Sequence, residues 1–128
     1  MVDIKLKIKA YISSTEDPEK IKKAITNIFG SIELKEHEDV VTGETSGLLS
    51  LRSMKEHLAR DRVRDAVRVM LERWSNKQGK VSFQLNRQAA YANHISIYHA
   101  DKAPLGPIEV EVDGDPEQII KYLCNKSP

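Results

Sequence analysis

Hydrophobic and polar positions alternate with period two over residues 2–12. Val2, Ile4, Leu6, Ile8, Ala10 and Ile12 fall on one side; Lys5, Lys7 and Lys9 fall on the other. That pattern predicts a half-buried strand. Asp17-Pro18-Glu19 then predicts a helix start, because the Asp17 carboxylate can accept from unpaired N–H groups and proline loses nothing at the first helical position. Ile21, Ala24, Ile25, Ile28 and Phe29 recur at helical spacing, and Gly30 suits the stop. Residues 31–35 read as a second strand with Ile32 and Leu34 inward. A short strand at 40–42 follows, then a turn cluster from Gly43 to Gly47.

Residues 48–57 and 61–75 are both helical in pattern, on two different faces. Leu51, Met54 and Leu58 share one; Val63, Val67, Met70 and Trp74 share another, rotated well away. One straight helix cannot point both at a single core, so the spacing predicts a break near Ala59 and Arg60, with Asp61 capping the second piece. Val81, Phe83 and Leu85 mark a third main strand, and Ile95 and Ile97 a fourth. The turn at 91–93 between them offers Asn93 for positive φ. Pro104, Gly106 and Pro107 stiffen a loop at 101–107. Ile108, Val110 and Val112 form a fifth strand, and Asp115-Pro116-Glu117 repeats the earlier helix start ahead of Ile119, Ile120 and Leu123. Residues 125–128 read as a fraying tail. Together these elements predict an α+β fold, a mostly antiparallel sheet with helices packed on one side, within one domain spanning 1–128. The outward column of Lys5, Lys7 and Lys9 matches the spacing of Glu109 and Glu111, so the first and last strands are expected to be neighbours.

Composition adds bounds. With 128 residues, 40% hydrophobic and 30% charged, the chain can bury a core without a covalent or metal staple. Cys124 is the only cysteine, so no intrachain disulfide is expected and a reducing, cytoplasmic setting is the default. No apolar run reaches roughly 18 residues, so no membrane span is expected, and the opening strand pattern leaves no signal peptide to expect. A net charge of +1 is weak for a nucleic-acid binder, but the charge is segregated. Residues 48–80 hold nine Lys/Arg against four Asp/Glu; residues 108–118 hold five acids and no base; residues 33–44 hold five acids and one lysine. Such segregation permits a local basic patch.

The search for chemistry returns little. His94 and His99 point to opposite faces of a strand, and His37 and His57 have no spaced partner, so no metal or cofactor is expected. Cys124 stands late in a helix, where the dipole disfavours a thiolate. No serine lies in a nucleophile elbow and no phosphate-cradling glycine loop exists, so neither a catalytic set nor a small-molecule substrate emerges. An enzyme reading would need a pocket lined by Asn86, Arg87 and His94. The aromatic residues show no basic–aromatic interleaving of the kind RNA-reading sheets use. The exception is RDRVRDAVRVMLERW at 60–74, which packs five arginines into an amphipathic helix. Arg62, Asp65 and Arg68 fall on one helical face, flanked by Arg60, Arg64 and Arg73. This ridge is either a solvated face with weak ion pairs or a contact surface for RNA backbone or for a protein.

Three segments carry a resemblance: RVRDAVR at 62–68, FQLNRQAA at 83–90 and PLGPIEV at 104–110. With them the chain resembles, over nearly its whole length, a family of small archaeal proteins labelled RNA-binding or exosome-associated. The resemblance implies an α+β fold like that of a ribosomal protein that binds the small RNA of the large subunit, and it implies dimers. By position it points to Arg62, Asp65, Arg68, Asn86, Arg87 and Gln88. One departure is Ala92-Asn93, where the family pattern leads one to expect a glycine. The combined expectation is a non-catalytic RNA-binding surface of Arg60, Arg62, Arg64, Arg68, Asn86, Arg87 and Gln88. The alternative is a homodimeric interaction domain with no nucleic-acid role, in which Asn86 and Gln88 only tie down the nearby loop.

Overall fold

The structure, a computed structural model, describes residues 4–74, 79–98 and 106–124. Val2, Ser75, His99 and the stretches 101–105 and 125–128, each read from the sequence above, lie outside these residues, as does the Trp74 side chain. The elements run β1 (Lys5–Tyr11), α1 (Pro18–Phe29), β2 (Leu34–His37), β3 (Val40–Ser46), a 3₁₀ turn (Leu48–Leu51), α2 (Arg52–Arg60), α3 (Arg64–Trp74), β4 (Lys80–Leu85), α4 (Arg87–Tyr91), β5 (Ile97–Tyr98), β6 (Ile108–Asp113) and α5 (Pro116–Cys124). Six strands form one sheet in the order β2-β3-β1-β6-β4-β5, and each pairing is antiparallel.

The period-two pattern sets the two faces. Leu6, Ile8 and Ala10 of β1 are buried beside Val110 and Val112 of β6 and Val81, Phe83 and Leu85 of β4, all beneath the helices. Ile21, Ala24, Ile25, Ile28 and Phe29 bring the α1 stripe into the same core; Met54 and Leu58 do so for α2, Val67 and Leu71 for α3, and Ile119, Ile120 and Leu123 for α5. Among the described residues no buried residue is polar or charged, and no helix is long and apolar enough to cross a membrane. The opposite face of the sheet carries the charges. There β1 and β6 are neighbours, with Lys7 opposite Glu111 and Lys9 opposite Glu109, as the matched columns predicted. Lys7 Nζ lies 3.8 Å from Glu111 and 3.6 Å from Asp113, Lys5 lies 2.9 Å from Glu44, and Lys80 lies 3.3 Å from Glu111. Lys5 and Lys7 of the lysine column are thereby paired in place, while Lys9 Nζ stands 4.9 Å from the Tyr11 ring.

Helix starts and stops follow the predicted chemistry at α1. Asp17 Oδ1 accepts from the Glu19 N–H at 3.0 Å, Pro18 opens the helix, and Gly30 closes it with φ 78°. Three expectations are corrected. Gly43 lies within β3 rather than in a turn. A Cβ there would stand 2.7 Å from Leu34 Cδ2 and 3.4 Å from Ile32 Cδ1, so the missing side chain makes room for β2 to lean across. The α2–α3 break falls where expected, directly after Arg60, but Asp61 does not cap α3; its carboxylate is used elsewhere. Arg62 is outside α3 altogether, so the Arg62-Asp65-Arg68 ridge does not form as one helical face.

Candidate nucleic-acid interface

Most of the arginines singled out in the sequence are engaged within the fold. Arg87 is the clearest case: its side chain is only 10% exposed. Its Nη1 donates to both carboxylate oxygens of Glu16 at 2.7 Å, and its Nη2 donates to the Pro107 carbonyl at 3.1 Å. Gly106 rests on that guanidinium, 3.4 Å from a would-be Cβ to Nη1. Burial alone would raise the Glu16 pKa, but the hydrogen bonds from Arg87 and Ser13 and the Arg87 charge outweigh it and hold the carboxyl below its ordinary value. Asn86 is the N-cap of α4, its Oδ1 accepting from the Ala89 N–H at 2.9 Å. Arg87 and Asn86 thus anchor the loop before β6 and the start of α4.

Two further cations cap helix C-termini. Arg68 Nη2 donates to the Cys124 carbonyl at 2.9 Å, with Asp65 3.7 Å away on the other side. Lys55 Nζ donates to the Tyr122 carbonyl at 2.8 Å and stands 5.1 Å from that ring. Both serve the C-terminus of α5, where unpaired carbonyls favour positive charge. Arg64 is half-buried and adds its charge near the Cys124 thiol, which burial nonetheless pushes up to about 11.

A second corner joins the ends of α2 and α4. Arg62 follows α2 with φ 58°, its N–H bonded to the Ala59 carbonyl at 3.2 Å while the Val63 N–H reaches Leu58 at 3.2 Å. Asn93 follows α4 in the same way, with φ 68° and bonds from Asn93 and His94 back to Ala90 and Ala89. These are paired Schellman stops, with arginine and asparagine where glycine is usual. Asn93 fills the place where the family pattern suggested a glycine. Side chains lock the two stops together. His57 Nδ1 donates to the Ser53 carbonyl at 2.9 Å and Nε2 meets Asn93 Oδ1 at 2.8 Å; Arg60 donates to the Asn93 carbonyl; Asp61 Oδ2 accepts from the Ile95 N–H at 3.0 Å. Asp61 also meets Arg60 at 3.1 Å and His94 at 3.6 Å. Burial would raise the Asp61 pKa, but the Ile95 N–H and Arg60 outweigh it, so the pKa is lowered.

Three exposed cations without an acidic partner among the described residues, Lys20, Lys23 and Arg62, lie along the edge beside this corner. Lys20 and Lys23 project from α1 and are exposed, with their ammonium groups 5.9 and 6.0 Å from the Tyr91 ring. Tyr91 is 43% exposed and shares the outer face of α4 with Gln88, three residues earlier. Asn27 of α1 donates to the Ala90 and Tyr91 carbonyls at 3.0 and 3.2 Å, which fixes the two helices together. Arg62 is exposed, and among the described residues neither it, Lys20, Lys23 nor Gln88 has an ion-pair or side-chain hydrogen-bond partner. Lys20, Lys23 and Tyr91 escaped sequence reading because Tyr91 stands 71 positions after Lys20 and 68 after Lys23. The lone hint was the placement of Lys20 and Lys23 off the apolar stripe of α1.

A trough of about 790 Å³ crosses the open sheet face, lined in part by Lys7, Lys9, Lys35, Glu44, Glu109 and Glu111. Neither this trough nor a smaller hollow near Leu49 includes Asn86, Arg87 or His94 among its lining, so neither is the pocket an enzyme reading would need.

Residues 5–113 match a family model described as RNA binding. The chain is 34% identical over 111 residues to a UPF0201 protein of Methanothermobacter thermautotrophicus, covering 87% of this chain and 83% of that one. The chain belongs to the UPF0201 family. A UPF0201 protein of Sulfurisphaera tokodaii is 35% identical over 130 residues, covering 96% of this chain and 88% of its own. Among solved structures, a UPF0201 protein from Methanococcus jannaschii superposes with TM-score 0.77 at 30% identity, covering 97% of this chain and 95% of that one. Another UPF0201 crystal structure gives TM-score 0.82 at 25% identity, covering 96% and 94%. The α+β arrangement described above is therefore the UPF0201 fold, and the resemblance read from the three sequence segments identified the family correctly.

Proposed function

We propose that the chain is a non-catalytic RNA-binding module that engages phosphate backbone along the α1–α4 edge. Lys20 and Lys23, with Arg62 across the α2–α4 corner, supply the charge, and Gln88 supplies a neutral donor. The observation that carries this reading is that these exposed cations lack an acidic partner among the described residues and the two lysines gather around one exposed ring, while Lys5, Lys7 and Lys80 of the open sheet face are paired with carboxylates. The family model's description points the same way. Arg62 adds weight. A non-glycine residue in the left-handed region costs about 1 kcal/mol relative to glycine, and among the described residues this side chain makes no hydrogen bond or ion pair to offset the cost.

Filter binding of a structured RNA across a salt series tests the proposal. Wild-type affinity is expected to fall steeply with salt, and Lys20→Ala/Lys23→Ala to weaken binding and flatten the slope by about one unit or more. Arg62→Gly is expected to weaken binding while leaving the urea midpoint equal or higher. Salt-independent or absent binding at about 50 mM salt rejects the proposal.

A second reading, a homodimeric interaction domain, draws on the open sheet face. Its adjacent lysine and acid columns are self-complementary: a two-fold axis along the β1–β6 boundary sets each lysine column against the partner's acids. Light scattering at twice the 14.5 kDa chain mass, abolished by Lys7→Glu/Lys9→Glu, would favour it.

A further inference from the structure

The α1–α4 edge has a feature that backbone binding does not require. Its centre is an aromatic ring, and the helix that carries the ring is held on three sides. Asn86 caps the start of α4, Asn27 takes the Ala90 and Tyr91 carbonyls, and the Asn93 stop ties its end to α2 through His57 and Arg60. A five-residue helix has little stability of its own, so these clamps are what fix the base of the Tyr91 side chain. The result is a preorganised, half-exposed ring with two ammonium groups about 6 Å from its centre and an amide one helical turn away.

We propose that Tyr91 is a stacking platform for an unpaired base of the bound RNA, with Lys20 and Lys23 on the phosphates beside that base and Gln88 at its edge. This rests on the RNA-binding reading and narrows it to a substrate class: single-stranded or looped RNA rather than continuous duplex. The chemistry favours that class because a base inside a duplex keeps both faces covered by its neighbours, whereas a splayed base offers one to the ring. Flanking ammonium groups do not compete with the base for hydrogen bonds. Their long stems let them swing from the ring to a phosphate as the base arrives. The site has no sequence-reading set of donors and acceptors beyond Gln88, so tolerance of base identity is expected.

Fluorescence titration with a single-stranded RNA carrying 2-aminopurine near its middle, alongside a fully paired duplex of the same sequence, provides the test. The wild-type chain is expected to bind the single strand at least about tenfold tighter than the duplex and to change the 2-aminopurine emission on binding. Tyr91→Leu is expected to lose about tenfold in single-strand affinity, within the range for removing one stacking aromatic. It should also lose the emission change and keep the salt slope; Tyr91→Phe should retain all three. If duplex and single strand bind alike and Tyr91→Leu changes only the thermal midpoint, Tyr91 merely packs the lysine stems. The stacking proposal then falls while the backbone reading stands, provided Lys20→Ala/Lys23→Ala still flattens the salt slope. If neither RNA binds, both fall together.

Discussion

Replacing Arg87 should cost stability and leave RNA affinity untouched, the reverse of what its position in the FQLNRQAA segment suggested. The guanidinium is 10% exposed and makes two bonds of 2.7 Å to Glu16 and one of 3.1 Å to Pro107. A hydrogen bond to a charged group contributes about 1.5–3 kcal/mol, and breaking a buried pair costs about 3–5 kcal/mol. Glu16 is 31% exposed, so water recovers part of its loss and the lower end applies. Arg87→Ala is therefore expected to destabilise by about 3 kcal/mol, and Glu16→Gln by about 1–2 kcal/mol. In a double-mutant cycle the two should couple by about 1–2 kcal/mol. Urea unfolding followed by far-UV circular dichroism reads this directly. At m-values of about 1–3 kcal/mol/M, the Arg87→Ala midpoint should drop by about 1–3 M.

The same contact has a pH signature with a definite sign. The folded Glu16 pKa is lowered from 4.5, so its contribution is complete above that value and fades as pH falls through the folded pKa. The stability difference between wild type and Glu16→Gln should be constant near neutrality and shrink at pH values below about 4.5. A coupling energy under about 0.5 kcal/mol, or a difference that grows on acidification, would refute the assignment of Arg87 to the Glu16–Pro107 clamp.

Three other outcomes follow. Cys124, with its thiol pushed up to about 11 and its side chain buried, should react with a disulfide reagent at pH 8 only at the rate of unfolding, so prompt labelling of native protein would contradict its placement. Gly43→Val should destabilise by about 1–3 kcal/mol in urea, because the added carbons meet Leu34 and Ile32; a neutral result would mean that β2 can retreat freely. Arg68→Ala should lower stability by about 1 kcal/mol through the lost cap on the Cys124 carbonyl, with no change in the salt slope of RNA binding.

What the sequence made legible was whatever its own neighbours determine. The β1 alternation, the Asp17-Pro18 start, the Gly30 stop and the left-handed Asn93 all depend on residues within one turn or one strand. The β1–β6 pairing was legible too, because it depends on two matched columns of opposite charge. Features set by distant backbone were not. Gly43 sits among Thr, Glu and Ser and looks like a turn; only the approach of Leu34 explains its place in a strand. Asp61 has the residue type and position of an N-cap, yet its carboxylate serves the Ile95 N–H, 34 residues on. Five residues of α4 are too few for a helical period to show.

In the arginine-rich segment, Arg60 and Arg68 are engaged within the fold for a related reason, and that reason bears on which cations are free at the surface. The partners of Arg60 and Arg68 include the carbonyls of Asn93 and Cys124, and a carbonyl at a helix end leaves no mark in a sequence. A guanidinium suits such sites, since its planar fork can serve a carboxylate and a carbonyl at once, as Arg87 does with Glu16 and Pro107. Arg60, Arg68 and Arg87 are thus drawn into the fold's own joints, whereas Arg62 stays exposed. Ammonium groups on flexible stems are held less tightly, and Lys20 and Lys23 remain at the surface, where mobile charge tracks a phosphate chain without fixing its sequence. A basic stretch counted along the chain therefore does not separate Arg60 and Arg68, which serve backbone carbonyls, from the exposed Arg62. The electrostatic footprint of this fold is read from which helix ends already have their cation.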